Sequence, residues 1–408
     1  MKVKKKGWII NSLIDVDAYK LTMGQLAFLF FRHVLVVFGF KNRTKKVFLP
    51  DTIKEKDLRA ELDHVRDIKG ITDEEADYLR GRKIYRESFV GFLRTLVLPE
   101  YKLEVTEGGY EITFEGAWPE VTLWETLCLS IMNELYYKAL LDKMPRAQRR
   151  AVYAEGRRRL AEKIRILKEN PDIRFIEFGT RRRFSRLWQE YVFATLLREV
   201  PEQIMGSSNV ALSMKYGTEP VGTFAHEMYM VFSGIFRDKL RESHNMVIQY
   251  WWDLYGELLS IALTDTYGTD FFFRDLTKEQ AEKLKGLRQD SGDPFEFGEK
   301  TIKFYEEHGI DPRGKTIVFS DGLDIDLIVR LNNYFRGRIK VSFGWGTNLT
   351  NDLGLDALSL VVKVIKAAGH WTVKLSDNLA KAMGPKAEIA LFKEVFGHNV
   401  TFKEACVY

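Results

Sequence analysis

Gly286-Leu-Arg-Gln-Asp-Ser-Gly-Asp-Pro294, Thr316-Ile-Val-Phe-Ser-Asp-Gly322 and Lys340-Val-Ser-Phe-Gly-Trp-Gly-Thr-Asn348 share one plan. Each is a short apolar run that ends in a polar, glycine-containing cluster and leads into a helical stretch. The plan recurs upstream at residues 173–178 before Gly-Thr-Arg, at 220–223 before Phe-Ala-His-Glu, and at 258–263 before Thr-Asp-Thr. The steps average about thirty-odd residues, the length of a βα unit. Such a series predicts a parallel sheet, either a barrel or an open doubly wound sheet. In an open sheet the polar residues gather at one switch point. Here every strand ends in them, as when all strands feed one mouth, and a barrel is the better reading.

Outward from that core the chain is of mixed character. Residues 35–40, 101–105 and 110–114 read as strands, with Gly108-Gly109 as a hairpin signal. Residues 122–141 read as a helix, and residues 147–168 as a basic amphipathic helix linking two units. At 408 residues the chain exceeds the size at which one core keeps growing, so two domains are expected. We place them at 1–145, joined by 370–408, and at 146–369. The 45% hydrophobic content excludes a disordered chain, and a net charge of +5 is too small for a nucleic-acid-binding domain. Only Trp188 and Tyr191 interleave with the arginines near residue 185. Cys128 and Cys406 are too isolated for a disulfide framework or a zinc site and are read as reduced. The lysine-rich start lacks an apolar leader core. Arg32 and His33 interrupt the apolar run 26–40, which reads as a buried helix turning into a strand rather than a membrane span. A soluble, cytoplasmic protein is expected.

The clusters at the strand ends carry the candidate chemistry. Asp290 and Ser291, with Asp293, combine carboxylates and backbone amides that suit ribose hydroxyls or a magnesium-bound diphosphate. Asp321-Gly322 and Gly344-Trp-Gly346-Thr347 hold the equivalent place on the next two strands, where glycine permits close approach to phosphate. Each alone reads as an ordinary βα turn; three in succession favour a phosphate site. None matches a Walker A or GxGxxG pattern. Among Arg181, Arg182, Arg183 and Arg186, only the first is placed to face the mouth, and the others read as a solvated face. His226 is a candidate base, nucleophile or metal ligand. With no second histidine at helical spacing, zinc is disfavoured. His244 and His370 read as structural. Asp15-Val-Asp17-Ala-Tyr19-Lys-Leu-Thr-Met23 reads on its own as a helix with acidic caps.

Taken together, Asp17-Ala-Tyr-Lys-Leu-Thr-Met, Glu177-Phe-Gly-Thr-Arg-Arg-Arg-Phe-Ser, Gly222-Thr-Phe-Ala-His-Glu, Gly286-Leu-Arg-Gln-Asp-Ser-Gly-Asp-Pro, Phe319-Ser-Asp and Ser342-Phe-Gly resemble the nicotinate phosphoribosyltransferase family in order and spacing. The resemblance implies an irregular TIM-like α/β barrel with an N-terminal α/β sandwich. It implies attack of nicotinate on phosphoribosyl pyrophosphate, giving nicotinate mononucleotide and pyrophosphate, with Mg2+ and with ATP hydrolysed through a phosphohistidine at His226. It further implies that Tyr19, from the partner subunit of a homodimer with a shared active site, and Phe178 sandwich the pyridine ring. Thr223 and Arg288 would touch nicotinate, and Thr180-Arg181 the 5′-phosphate. Asp290 and Ser291 would hold the ribose, and Asp321, Gly322, Gly344, Gly346 and Thr347 the phosphates. No metal ligand is assigned.

Two alternatives share the fold: a nicotinamide phosphoribosyltransferase and a non-catalytic ligand sensor. An amide would tolerate a buried carboxylate beside the ring, and Gly206-Ser-Ser-Asn209 offers none, which favours nicotinate. Retention of His226, Asp290, Arg181 and Arg288 together argues against a sensor. The net charge hides a local surplus: residues 141–190 hold eight more basic than acidic side chains, a field that would draw anions.

Overall fold

A computed structural model describes residues 7–404; the lysine-rich start and Cys406 lie outside the described residues. The strands are β1 (Leu35–Asn42), β2 (Tyr101–Thr106), β3 (Gly109–Ala117), β4 (Phe175–Glu177), β5 (Ile204–Ser207), β6 (Ile261–Leu263), β7 (Gly286–Gln289), β8 (Thr316–Phe319), β9 (Lys340–Trp345), β10 (Leu360–Ala367) and β11 (His370–Trp371). They form two sheets, a five-stranded antiparallel one in the order β11-β10-β1-β3-β2 and a six-stranded parallel one in the order β5-β4-β9-β8-β7-β6. The mixed α/β class and the parallel sheet expected from the βα rhythm are both present.

The first sheet buries residues of β1, β2, β3 and β10, while both residues of β11 are exposed. Phe38 and Phe114 stand opposite each other across β1 and β3, and Phe114 stacks on Trp124 of the Trp124–Lys143 helix with ring centroids 4.8 Å apart. Such aromatic pairs combine large apolar burial with a preferred geometry, which makes this contact an anchor of the sheet–helix layer. The apolar run 26–40 divides as expected, into a helix from Ala18 to Phe30 and strand β1. Among the described residues no helix is long and apolar enough to cross a membrane.

Three features depart from the expectation. First, residues 220–223 form no strand. Pro220 makes a single bridge to Ser207, the Val221 amide donates to the Ser207 carbonyl at 2.9 Å, and Thr223 Oγ1 donates to the Ile261 carbonyl at 2.9 Å. This segment is bonded to both edge strands of the parallel sheet, β5 and β6. Second, β5 itself was not expected. Its four residues include Gly206 at φ +140°, a conformation outside ordinary strand propensity. Third, β10 pairs with β1 from Val36↔Ala367 to Asn42↔Leu360. Residues 360–367 therefore belong to the first sheet and not with 146–369, so the chain crosses back between Trp345 and Leu360.

The two sheets meet at the His226–Ile235 helix, which packs along β10. Gly234 permits that approach: a Cβ there would lie 2.5 Å from the Ala367 carbonyl oxygen. The contact sets the first sheet over the C-terminal ends of the parallel strands.

Candidate active site

Because the strands of the second sheet are parallel, their polar ends converge on one side. The cleft there is lined by Phe178, Arg181 and Arg182 after β4, Ser208 after β5, and Ala225 and His226 after the irregular segment. Arg288 and Asp290 enter from β7, Ser320 to Leu323 from β8, and Gly344, Gly346, Thr347 and Asn348 from β9. Asp17 and Tyr19 close one side. They are held by main-chain pairing: Asp17 bridges Asn209, and the Ala18 amide donates to the Ser208 carbonyl at 2.6 Å. The acidic residues read as caps do other work. Asp17 accepts from Ser208 Oγ at 2.6 Å, and Asp15 takes a two-pronged ion pair from Arg183, at 2.7 and 2.9 Å.

Twelve of the fifteen expected site residues line this cleft; Thr180, Thr223 and Ser291 do not. Thr180 is fully buried and accepts from Gln189 Nε2, and Thr223 is spent on the Ile261 carbonyl. Ser291 donates to Asp265 at 2.6 Å and accepts from Ser376 Oγ and the Asp377 amide. Each therefore shapes the loops beneath the site. The arginines also sort differently. Arg183 is wholly buried rather than solvated, its terminal nitrogens bonded to Asp15 and Gln189, and Arg182 lines the cleft beside Arg181. Glu177, at the end of β4, accepts from the Gly179 amide, Ser207 and Gln189, and so ties the turn that carries Phe178 and Arg181. Burial pushes its carboxyl up to about 7 against those donors.

His226 opens its helix 3% exposed. Nδ1 lies 2.9 Å from Thr266 Oγ1; Nε2 lies 2.8 Å from Asp290 Oδ2 and 2.8 Å from Lys374 Nζ. Burial, then the Lys374 charge, drives its pKa down to about 4, although Asp265 and Asp290 oppose this. The ring is therefore neutral at pH 7, and a neutral ring has one nitrogen lone pair free. Burial likewise lowers Lys374 to about 8. For Asp290, burial raises the pKa, but the His226 hydrogen bond and the Arg288 charge outweigh it and hold the carboxyl well below its usual range. His226, Asp265 and Asp290 bring ligand atoms within 4.8 Å of one another, but Lys374 Nζ, 3.8 Å from Asp265, already places a cation among them. The carboxylates that line the cleft itself are Asp17, Asp290 and Asp321, of which Asp290 and Asp321 follow strands β7 and β8.

Sequence reasoning missed the cations of the first sheet and its extension. Lys363 lies on β10; Lys374 and Lys381 follow β11, and Lys381 pairs with Asp321 at 2.5 Å. With Arg43, Arg181, Arg182 and Arg288 they make seven cationic side chains around the cleft, against Asp17, Asp290 and Asp321. A signal existed, since Lys363 and Lys374 are lone lysines in the apolar runs Val-Val-Lys-Val and Thr-Val-Lys-Leu. A lysine buried on a strand needs a partner, and that need points to a polar site.

Two family models match the chain in the order of its two units. The nicotinate phosphoribosyltransferase N-terminal domain matches residues 14–133 and the nicotinate phosphoribosyltransferase family residues 173–400. The chain belongs to the nicotinate phosphoribosyltransferase family. Its fold is similar to the nicotinate phosphoribosyltransferase structure from Porphyromonas gingivalis, with 32% identity, a TM-score of 0.87, and coverage of 95% of this chain and all of that one. The Vibrio cholerae nicotinate phosphoribosyltransferase gives 31% identity and a TM-score of 0.87 over 97% of this chain and 95% of that one. A putative nicotinate phosphoribosyltransferase from Saccharomyces cerevisiae gives 26% and 0.86 over 97% and 100%. Tyr19 and Phe178 line the same cleft of the chain.

Proposed function

We propose that this chain joins nicotinate to phosphoribosyl pyrophosphate, releasing pyrophosphate and forming nicotinate mononucleotide for NAD salvage. The observation that carries this reading is Arg288. It is a cleft guanidinium with no ion pair among the described residues, its Nε is buried without a hydrogen-bond partner, and it shares the cleft with two aromatic rings, Tyr19 and Phe178. A cation without an ion pair in a cleft that also holds two aromatic rings suits a planar ring bearing a carboxylate. Asp17 is the one feature favouring nicotinamide, since it puts a carboxylate beside Ser208 that an amide would use. The first assay therefore carries both bases.

The remaining residues divide the work. The pyridine nitrogen attacks the anomeric carbon, the bond to the diphosphate oxygen breaks, and positive charge develops on the ribose. Asp290, held ionised, faces that charge. Arg181, Lys363 and Lys381 neutralise phosphate oxygens. Bound Mg2+, for which Asp290 and Asp321 are the fitting oxygen donors, would offset the charge of the departing diphosphate. ATP coupling runs through His226. The lone-pair nitrogen of its neutral ring attacks the γ-phosphorus, the N–P bond forms as the bond to the bridging oxygen breaks, and ADP leaves, the ring proton remaining on the other nitrogen. A sensor would have no use for a histidine kept neutral and flanked by a lysine.

Purified protein incubated with nicotinate or nicotinamide, phosphoribosyl pyrophosphate and Mg2+, with and without ATP, should yield nicotinate mononucleotide by mass spectrometry. Absence of any mononucleotide refutes the activity. A product only from nicotinamide refutes the substrate, and a yield indifferent to ATP refutes the coupling.

A further inference from the structure

Glu125 sits in the first turn of the Trp124–Lys143 helix, 1% exposed and outside the cleft lining. Its Oε1 accepts from Arg181 Nη1 at 3.0 Å and from Lys363 Nζ at 2.8 Å, and its Oε2 pairs with Lys20 at 2.5 Å. Lys20, fully buried, also pairs with Glu227, which in turn accepts from Trp118 Nε1 and Thr122 Oγ1. Arg181 comes from the turn after β4 and Lys363 from β10, so one oxygen joins cations from the two sheets. Both of those cations line the cleft. Sharing one acceptor, their nitrogens stand no more than about 6 Å apart, near enough for one phosphoryl group to engage both.

We propose that Glu125 is a positioning residue that makes Arg181 and Lys363 a single phosphomonoester-binding pair. The five charged groups, Lys20, Arg181, Lys363, Glu125 and Glu227, leave one positive charge over, and that surplus lies on the cleft side. An arriving phosphate dianion is met by cations already held in place, and it does not have to order two long side chains by itself.

Two effects compete when Glu125 is neutralised. Loss of a nearby negative charge raises the local potential and strengthens phosphate binding. Loss of the shared acceptor frees Arg181 and Lys363 and weakens it. The proposal says that positioning wins.

The inference rests on reading the cleft as a phosphoribosyl site, and titration calorimetry of the full chain with ribose 5-phosphate, ribose and nicotinate separates the two. If wild type does not prefer ribose 5-phosphate to ribose, the site reading fails. If wild type prefers it, Glu125→Gln should weaken ribose 5-phosphate by about tenfold, the scale of one charge-assisted contact, while nicotinate affinity stays unchanged. Tighter or unaltered ribose 5-phosphate binding, or equal losses for both ligands, overturns the role of Glu125. Should Glu125→Gln not fold, the charge-conserving double variant Glu125→Gln/Lys363→Met is compared with Lys363→Met alone. Weaker ribose 5-phosphate binding in the double variant supports the proposal, and equality overturns it.

Discussion

At His226, burial and the Lys374 ammonium act in the same direction and keep the ring neutral down to about pH 4. Labelling of the protein by γ-labelled ATP should therefore hold its rate well below pH 6.5, the ordinary histidine pKa. It should decline above about pH 8 as Lys374 loses its proton. An acid limb centred near 6.5 would refute the burial argument, and label retained on His226→Ala would refute the nucleophile. Arg288→Ala should raise KM for nicotinate by an order of magnitude or more, the scale of a charge-assisted contact, with much less effect on KM for phosphoribosyl pyrophosphate. Equal changes would deny Arg288 its carboxylate. These residues were legible because each follows an apolar run within a polar cluster. Arg183 was not, because a buried arginine and a solvated one look alike until the partner, here Asp15, is known.

Between elements, the close approaches are decisive. Gly344 on β9 lies under the Phe178 ring, where a Cβ would meet ring atoms at 2.5 Å. Gly344→Ala should displace that ring and raise KM for nicotinate, with the unfolding midpoint changed far less than for Gly234→Val. The latter drives a branched side chain into the β10 backbone and should cost about 1–3 kcal/mol of stability, as overpacking does. Thermal unfolding of the two variants side by side checks both, and a wild-type KM for Gly344→Ala would remove Phe178 from the site. Strand β8 could be read from a β-branched and apolar run bounded by turn residues, and β7 from the polar, glycine-containing cluster that follows it. The segment at 220–223 was legible as an apolar run but forms no strand, since its pairing is one bridge, one amide bond and one side-chain bond. Strand β10, Val-rich and following the βα segments in sequence, was legible as apolar but not in its destination.

At the scale of the whole molecule, the cleft gathers cations from both ends of the chain. The affinity for phosphoribosyl pyrophosphate should fall steeply as ionic strength rises past the level where the Debye length is about 10 Å, while that for uncharged nicotinamide should not. A salt-independent affinity would mean that the cationic lining is already neutralised. Stability carries a matching sign. The folded-state pKa of His226 lies below its unfolded value of 6.5, so its contribution is complete above that pH and is lost as pH falls toward about 4. Denaturant midpoints of wild type should drop across that window, and those of His226→Asn should drop less. The repeating βα plan, the polar strand ends, and residues such as His226 and Asp290 follow from the sequence by itself. They depend on periodicity and on neighbours close along the chain, which local chemistry dictates. Only the tertiary structure decided that β10 joins the first sheet, that Lys363, Lys374 and Lys381 reach the cleft, and that Thr180, Thr223 and Ser291 stand beneath it. Those outcomes turn on which distant partner satisfies a buried polar group, a choice made when the two sheets pack and not before.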